Sequence, residues 1–106
     1  MEKQQVITAL GALAHETRLD IFRLLVRAGT GGMAAGAIAE AVGLVPATLS
    51  FHLKELKNAG VISSRREGRS LIYAPEFGCM QDLLSFLTEN CCQGSGACAV
   101  SEVTSA

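Results

Sequence analysis

The sequence predicts a mostly α-helical domain carrying one small β-hairpin, and three observations predict it. Apolar residues recur at three- and four-residue spacing along most of the chain. Hydrophobic residues make up 49% and aromatics only 5%, with no Trp, which favours a core of Leu, Ile, Val and Ala. One stretch alone, residues 61–74, is β-prone, and it folds about a glycine. At 106 residues there is room for one domain and none for a second catalytic lobe.

Val6, Ile7, Leu10 and Leu13 share helical spacing and predict a first helix whose apolar face is free to pack on a partner. His15-Glu16-Thr17-Arg18 leads into Leu19, Ile21, Phe22, Leu24, Leu25 and Ala28, a second helix, with Gly29 placed as a left-handed terminator. Gly29-Thr30-Gly31-Gly32 reads as a flexible connector, and Ala35 to Val42 as a short helix stopped by Gly43. After a tight turn at Leu44-Val45, Pro46 opens the next helix, because its missing amide hydrogen and preset φ suit a first turn; that helix runs to about residue 59 and is closed by Gly60. On a wheel of about 100° per residue, Leu49, Leu53 and Leu56 share one face, while Ala47, Phe51, Lys54 and Asn58 point away from it.

Val61 to Arg66 and Arg69 to Ala74 are β-prone arms around a Glu67-Gly68 turn, a hairpin ended by Pro75. Glu76 to about Asn90, with Phe77, Met80, Leu83, Leu84, Phe86 and Leu87, predicts a last helix apolar around more than half its circumference and hence a dimer interface. The expected organisation is one domain over residues 1–92 and a flexible tail over 93–106 that is too poor in large apolar residues to order itself.

No apolar run approaches the roughly 20 residues of a membrane span. The charged and polar start, Met1-Glu2-Lys3-Gln4-Gln5, predicts no secretory signal and therefore a cytoplasmic location. Four cysteines in a reducing compartment point to thiol chemistry or metal binding rather than to structural disulfides. The net charge of −1 hides an uneven distribution. Residues 46–75 carry five basic and two acidic side chains, whereas residues 76–106 carry four acidic and no basic ones.

Helix, turn, helix and an arginine-tipped hairpin is the order of a winged helix-turn-helix, and each part has a physical task. The second helix of the pair enters the major groove, where Thr48 and Ser50 exchange hydrogen bonds with base edges and the outward Phe51 meets thymine methyl groups. Lys54 and Lys57 add backbone contacts, and Arg65, Arg66 and Arg69 reach phosphates or a narrow minor groove. His52 lies about 60° from the centre of the apolar face, so a role at the core edge and a DNA contact both stand open.

On these residues the chain resembles the ArsR/SmtB family of dimeric metal-responsive repressors over about residues 5 to 98. The resemblance rests on Leu13-Ala14-His15-Glu16-Thr17-Arg18-Leu19, on Ser50-Phe51-His52-Leu53-Lys54-Glu55-Leu56 with Ala59-Gly60-Val61-Ile62, and on Arg65-Arg66-Glu67-Gly68-Arg69 followed by Tyr73. It implies two copies about a two-fold axis, joined through the first and last helices and reading operator half-sites in successive major grooves. The chain departs from the pattern at Val45-Pro46-Ala47, where many members carry polar caps.

Cys91, Cys92 and Cys98 form a Cys-Cys-x5-Cys cluster, and Gly94 and Gly96 let the chain fold back so that the third thiol nears the adjacent pair. Soft thiolates select thiophilic metals. A structural zinc site takes four ligands, and the two histidines, His15 and His52, lie in other elements. Trivalent arsenic and antimony take three sulfurs in a pyramid, which three thiolates match. The cluster looks like that of the arsenite-responsive ArsR subgroup, with trivalent arsenic or antimony as inducer and no organic cofactor. No Cys lies on residues 35–42 and no His on the last helix, which sets aside two other sensor sites of the family. Cys79 reads as a small buried hydrophobe.

The expectation is a homodimeric repressor of double-stranded operator DNA, released when Cys91, Cys92 and Cys98 bind the metalloid. The alternative is a repressor of the same fold whose thiols sense oxidants. An enzyme is not expected, because no Cys-x-x-Cys pair and no nucleophile with an identifiable base is visible.

Overall fold

A computed structural model describes residues 1–94. Helix α1 (Lys3–Leu13) begins where the Glu2 amide donates to Gln5 Oε1 at 2.8 Å, which satisfies an orphan donor at the helix start. Helix α2 (Glu16–Ala28) follows, with Glu16 in its first turn and Arg27 in its last, both favourable to the helix dipole. Strand β1 (Met33–Ala34) leads into α3 (Ala35–Val42), then α4 (Pro46–Asn58), the hairpin β2 (Ile62–Glu67) and β3 (Ser70–Pro75), and α5 (Phe77–Leu87).

The core forms where α2, α3 and α4 meet. Ile21, Leu25, Ile38, Leu49, Leu53 and Leu56 are buried there with Val61 and Ile62, and Ala9 and Ala12 of α1 close one side. Leu49, Leu53 and Leu56 are the leucines that helical spacing places on one face. The chain bends by 110° between α3 and α4, within the range of a helix-turn-helix pair. Gly43 makes that bend in the left-handed conformation, φ +70 and ψ +33.

Four local expectations are corrected. Gly29 has a positive φ of +82, but its ψ of −164 sends the chain out extended rather than into a left-handed terminator. The connector after it is tied down, because β1 pairs antiparallel with β3 (Met33↔Tyr73, Ala34↔Ile72) and completes a sheet of order β1-β3-β2. The hairpin turn is Gly68-Arg69 rather than Glu67-Gly68: Glu67 pairs with Ser70, and Gly68 takes φ +60 at the first central position, as a type II′ turn requires.

The fourth correction is α5, which stops at Leu87, short of Asn90. Thr88 Oγ1 donates to the Leu84 carbonyl at 2.8 Å, and Asn90 and Cys92 both take left-handed φ values, +60 and +68, which break the helical path. Cys91 and Cys92 therefore stand in turns beyond the helix. Of α5 only Leu83 is buried, with Cys79 and Met80 packed against the core, while Phe77, Leu84 and Leu87 are exposed. Among the described residues no single helix is long and apolar enough to cross a membrane.

Candidate nucleic-acid interface

Helix α4 sorts its side chains as a reading helix needs. Its leucines anchor it, Thr48 and Ser50 are exposed on its two flanks, and Lys54 is exposed on the side away from the leucines. Phe51 is 55% exposed, so its ring is open to a partner on this face. The ring is nevertheless held in place: the Arg18 guanidinium carbon lies 5.5 Å from its centroid, and the His52 ring meets it edge-on at 5.6 Å.

His52 corrects the predicted contact set. It is only 8% exposed, its Nδ1 accepts a hydrogen bond from Arg18 Nε at 3.2 Å, and its ring centroid is 5.1 Å from that of His15. This burial matches the core-edge role and leaves the ring little surface to offer to a base edge. Burial holds its pKa below the usual 6.5, with the charge of Arg18 and then of His15 adding to the effect. Arg18 is the functional residue that sequence reasoning passed over. No local pattern links it to a position 34 residues away.

The predicted phosphate contacts fall into two groups. Lys54, Arg66 and Arg69 are exposed, and among the described residues their side chains make no hydrogen bond or ion pair. Lys57 and Arg65 are engaged within the chain. Lys57 Nζ donates to Ser64 Oγ at 2.7 Å, linking the end of α4 to β2. Arg65 donates from Nε to Glu67 Oε2 at 2.7 Å, from Nη2 to the Gly31 carbonyl at 2.7 Å, and more weakly from Nη1 to the Thr30 carbonyl at 3.4 Å.

The predicted sensor is described in part. The sulfurs of Cys91 and Cys92 lie 2.6 Å apart at the exposed end of the chain segment that follows α5. Cys98 and the predicted tail from residue 95 onward lie outside the described residues. Cys79, in the first turn of α5, packs partly buried against the core as expected, and burial, followed by the charges of Asp82 and Glu76, pushes its thiol pKa up. A raised pKa suits a packing residue better than a thiolate ligand.

A helix-turn-helix domain family matches residues 13–65. Nodulation protein NolR of Rhizobium meliloti is 34% identical over 80 residues, covering 76% of this chain and 63% of that protein, so the chain spans less than two thirds of that relative's length. Transcriptional repressor SdpR of Bacillus subtilis is 36% identical over 76 residues, 72% of this chain and 81% of that protein. Among solved structures, a homodimeric winged helix-turn-helix DNA-binding domain from Mycobacterium bovis, described as a possible ArsR-family transcriptional regulator, aligns with a TM-score of 0.66 at 32% identity over 80% of this chain and 77% of that one.

Proposed function

The chain belongs to the ArsR family of winged helix-turn-helix transcriptional regulators, and on that premise we propose that it is a homodimeric repressor released from operator DNA by trivalent arsenic or antimony bound to Cys91, Cys92 and Cys98. The exposed apolar residues of α1 and α5, among them Ile7, Leu10, Leu84 and Leu87, support pairing of two copies through these helices. Two-fold pairing presents two α4 helices to successive major grooves.

The observation that carries the sensing half is the 2.6 Å approach of the Cys91 and Cys92 sulfurs just beyond α5. Reduced to thiolates, these two neighbouring sulfurs would offer soft donors to a thiophilic metalloid, and a third sulfur six residues on would complete a pyramidal set. Drawing Cys98 onto the pair would tie the chain beyond α5 back to the end of that helix, which lies in the proposed dimer seam and so bears on the spacing of the two α4 helices. Inducer and DNA then weaken each other equally, by about 1–3 kcal/mol.

The same sulfur pair favours one alternative, in which peroxide oxidises two of these thiols to a disulfide and is itself reduced to water. A single titration separates the readings. A duplex enriched by this protein from a random-sequence pool is titrated with the protein alone, with arsenite, with hydrogen peroxide and with zinc. Release by arsenite supports the proposal, and release by peroxide but not arsenite replaces it with the redox reading. Release by zinc alone refutes both.

A further inference from the structure

The wing is fastened to the rest of the domain by two cations that the sequence alone assigns to phosphates. Lys57 ties the last turn of α4 to β2 through Ser64, and Arg65 ties β2 to the loop that carries the chain from α2 into β1. That loop has little freedom of its own. A Cβ on Gly32 would stand 2.6 Å from the Tyr73 carbonyl oxygen, so the backbone there lies flat against β3, and β1 pairs with β3 immediately afterwards. The Arg65 fork thus spans from the middle of one edge strand, β2, to the entry of the other, β1, with β3 between them.

Guanidinium geometry matters here. Its planar, fixed donors serve Glu67 and the carbonyls of two consecutive residues at once, which a single ammonium centre does not reproduce. Exposed ion pairs such as Arg65–Glu67 add little to global stability, so the product of this arrangement is orientation. A helix in the major groove and a wing on the neighbouring backbone engage one duplex together at lower ordering cost when the angle between them is fixed in advance.

We infer that Arg65 and Lys57 are positioning residues that set the wing's angle against α4, and that the phosphate contacts of this face belong to Lys54, Arg66 and Arg69. The inference rests on the DNA-binding reading above. It divides one cationic patch into struts and contacts, a division that net charge and sequence order do not reveal.

Salt dependence tests it, because abolishing one cation–phosphate pairing lowers the slope of log affinity against log salt by about 0.9, whatever its effect on shape. On the duplex enriched by the wild-type chain, Arg66→Ala and Arg69→Ala are each expected to flatten the slope by that amount. Arg65→Ala and Arg65→Lys are both expected to weaken binding roughly tenfold, the scale of one hydrogen bond to a charged group, with the slope unchanged. Ser64→Ala, which removes the acceptor of Lys57 and no charge, is expected to weaken binding several-fold at constant slope, and it guards against misfolding of the arginine variants. Wild-type affinity in Arg65→Lys together with a flattened slope in Arg65→Ala would make Arg65 a phosphate contact and overturn the inference. Wild-type affinity in Ser64→Ala would overturn it for Lys57. If the wild-type chain enriches no duplex at all, it is the DNA-binding reading that fails.

Discussion

Arg18 donates from Nε to His52 Nδ1 across 3.2 Å and joins the first turn of α2 to the middle of α4. Only a neutral imidazole accepts that bond, and burial together with the charges of Arg18 and His15 keeps the ring neutral. The folded pKa lies below the unfolded value, so the stability this ring contributes is present above about 6.5 and is lost as the pH falls through the folded value. The urea midpoint is expected to drop as the pH falls below about 6.5, and His52→Gln, which keeps an acceptor but does not titrate, is expected to shrink that drop. An unaltered pH dependence in the variant would place the titration elsewhere.

Phe51 is exposed yet held between Arg18 and His52, so removing it alters readout without disturbing the core. Phe51→Ala is expected to leave the thermal midpoint close to wild type and to cost about 1 kcal/mol of discrimination at one base pair of the enriched duplex. Competition binding against single-base variants of that duplex measures it. Uniform weakening against every sequence would mean that Phe51 meets only the backbone.

Leu84 is 62% exposed on α5 and lies in the proposed seam between copies. Leu84→Glu places a charge there in each subunit, and the cost of desolvating both is expected to weaken dimerisation by at least about tenfold. Light scattering across a micromolar dilution series reads the change. A wild-type chain that is monomeric throughout the series would remove the seam from the proposal.

Cys98→Ser removes one of the three proposed ligands and leaves α4 and the wing untouched. Operator affinity is expected to stay at the wild-type level, while the 1–3 kcal/mol or so of coupling to arsenite disappears. Cys79→Ser is expected to keep the response to arsenite, because that thiol packs against the core. Full release of the Cys98→Ser variant by arsenite would refute the three-sulfur site.

Elements built from local rules were legible in the sequence. The Leu49, Leu53 and Leu56 stripe, the Pro46 start and the Gly43 stop follow from helical periodicity and backbone sterics, and each lies where expected. The hairpin was legible to within one residue, since either placement keeps Gly68 in the turn, and the choice is made by which residues of β2 and β3 pair. Strand β1 was not, because two residues hold no alternation to read and its partner lies about 40 positions away. The same distance hides the site's internal bonds: a charge count treats Arg65 and Arg69 alike, and only the fold brings the first to Gly31 and leaves the second unbonded among the described residues. His52 was ambiguous because its angular position falls between the two faces, and Arg18, invisible to the wheel of α4, decides it.

Gly32 leaves its position in the chain no latitude. One added carbon there would act as a wedge between the loop and the backbone of β3, whereas Gly36 and Gly78 border open space and have room for a side chain. In a library randomised at all three positions and sorted for folded protein, glycine alone should survive at 32, while many residue types persist at the other two.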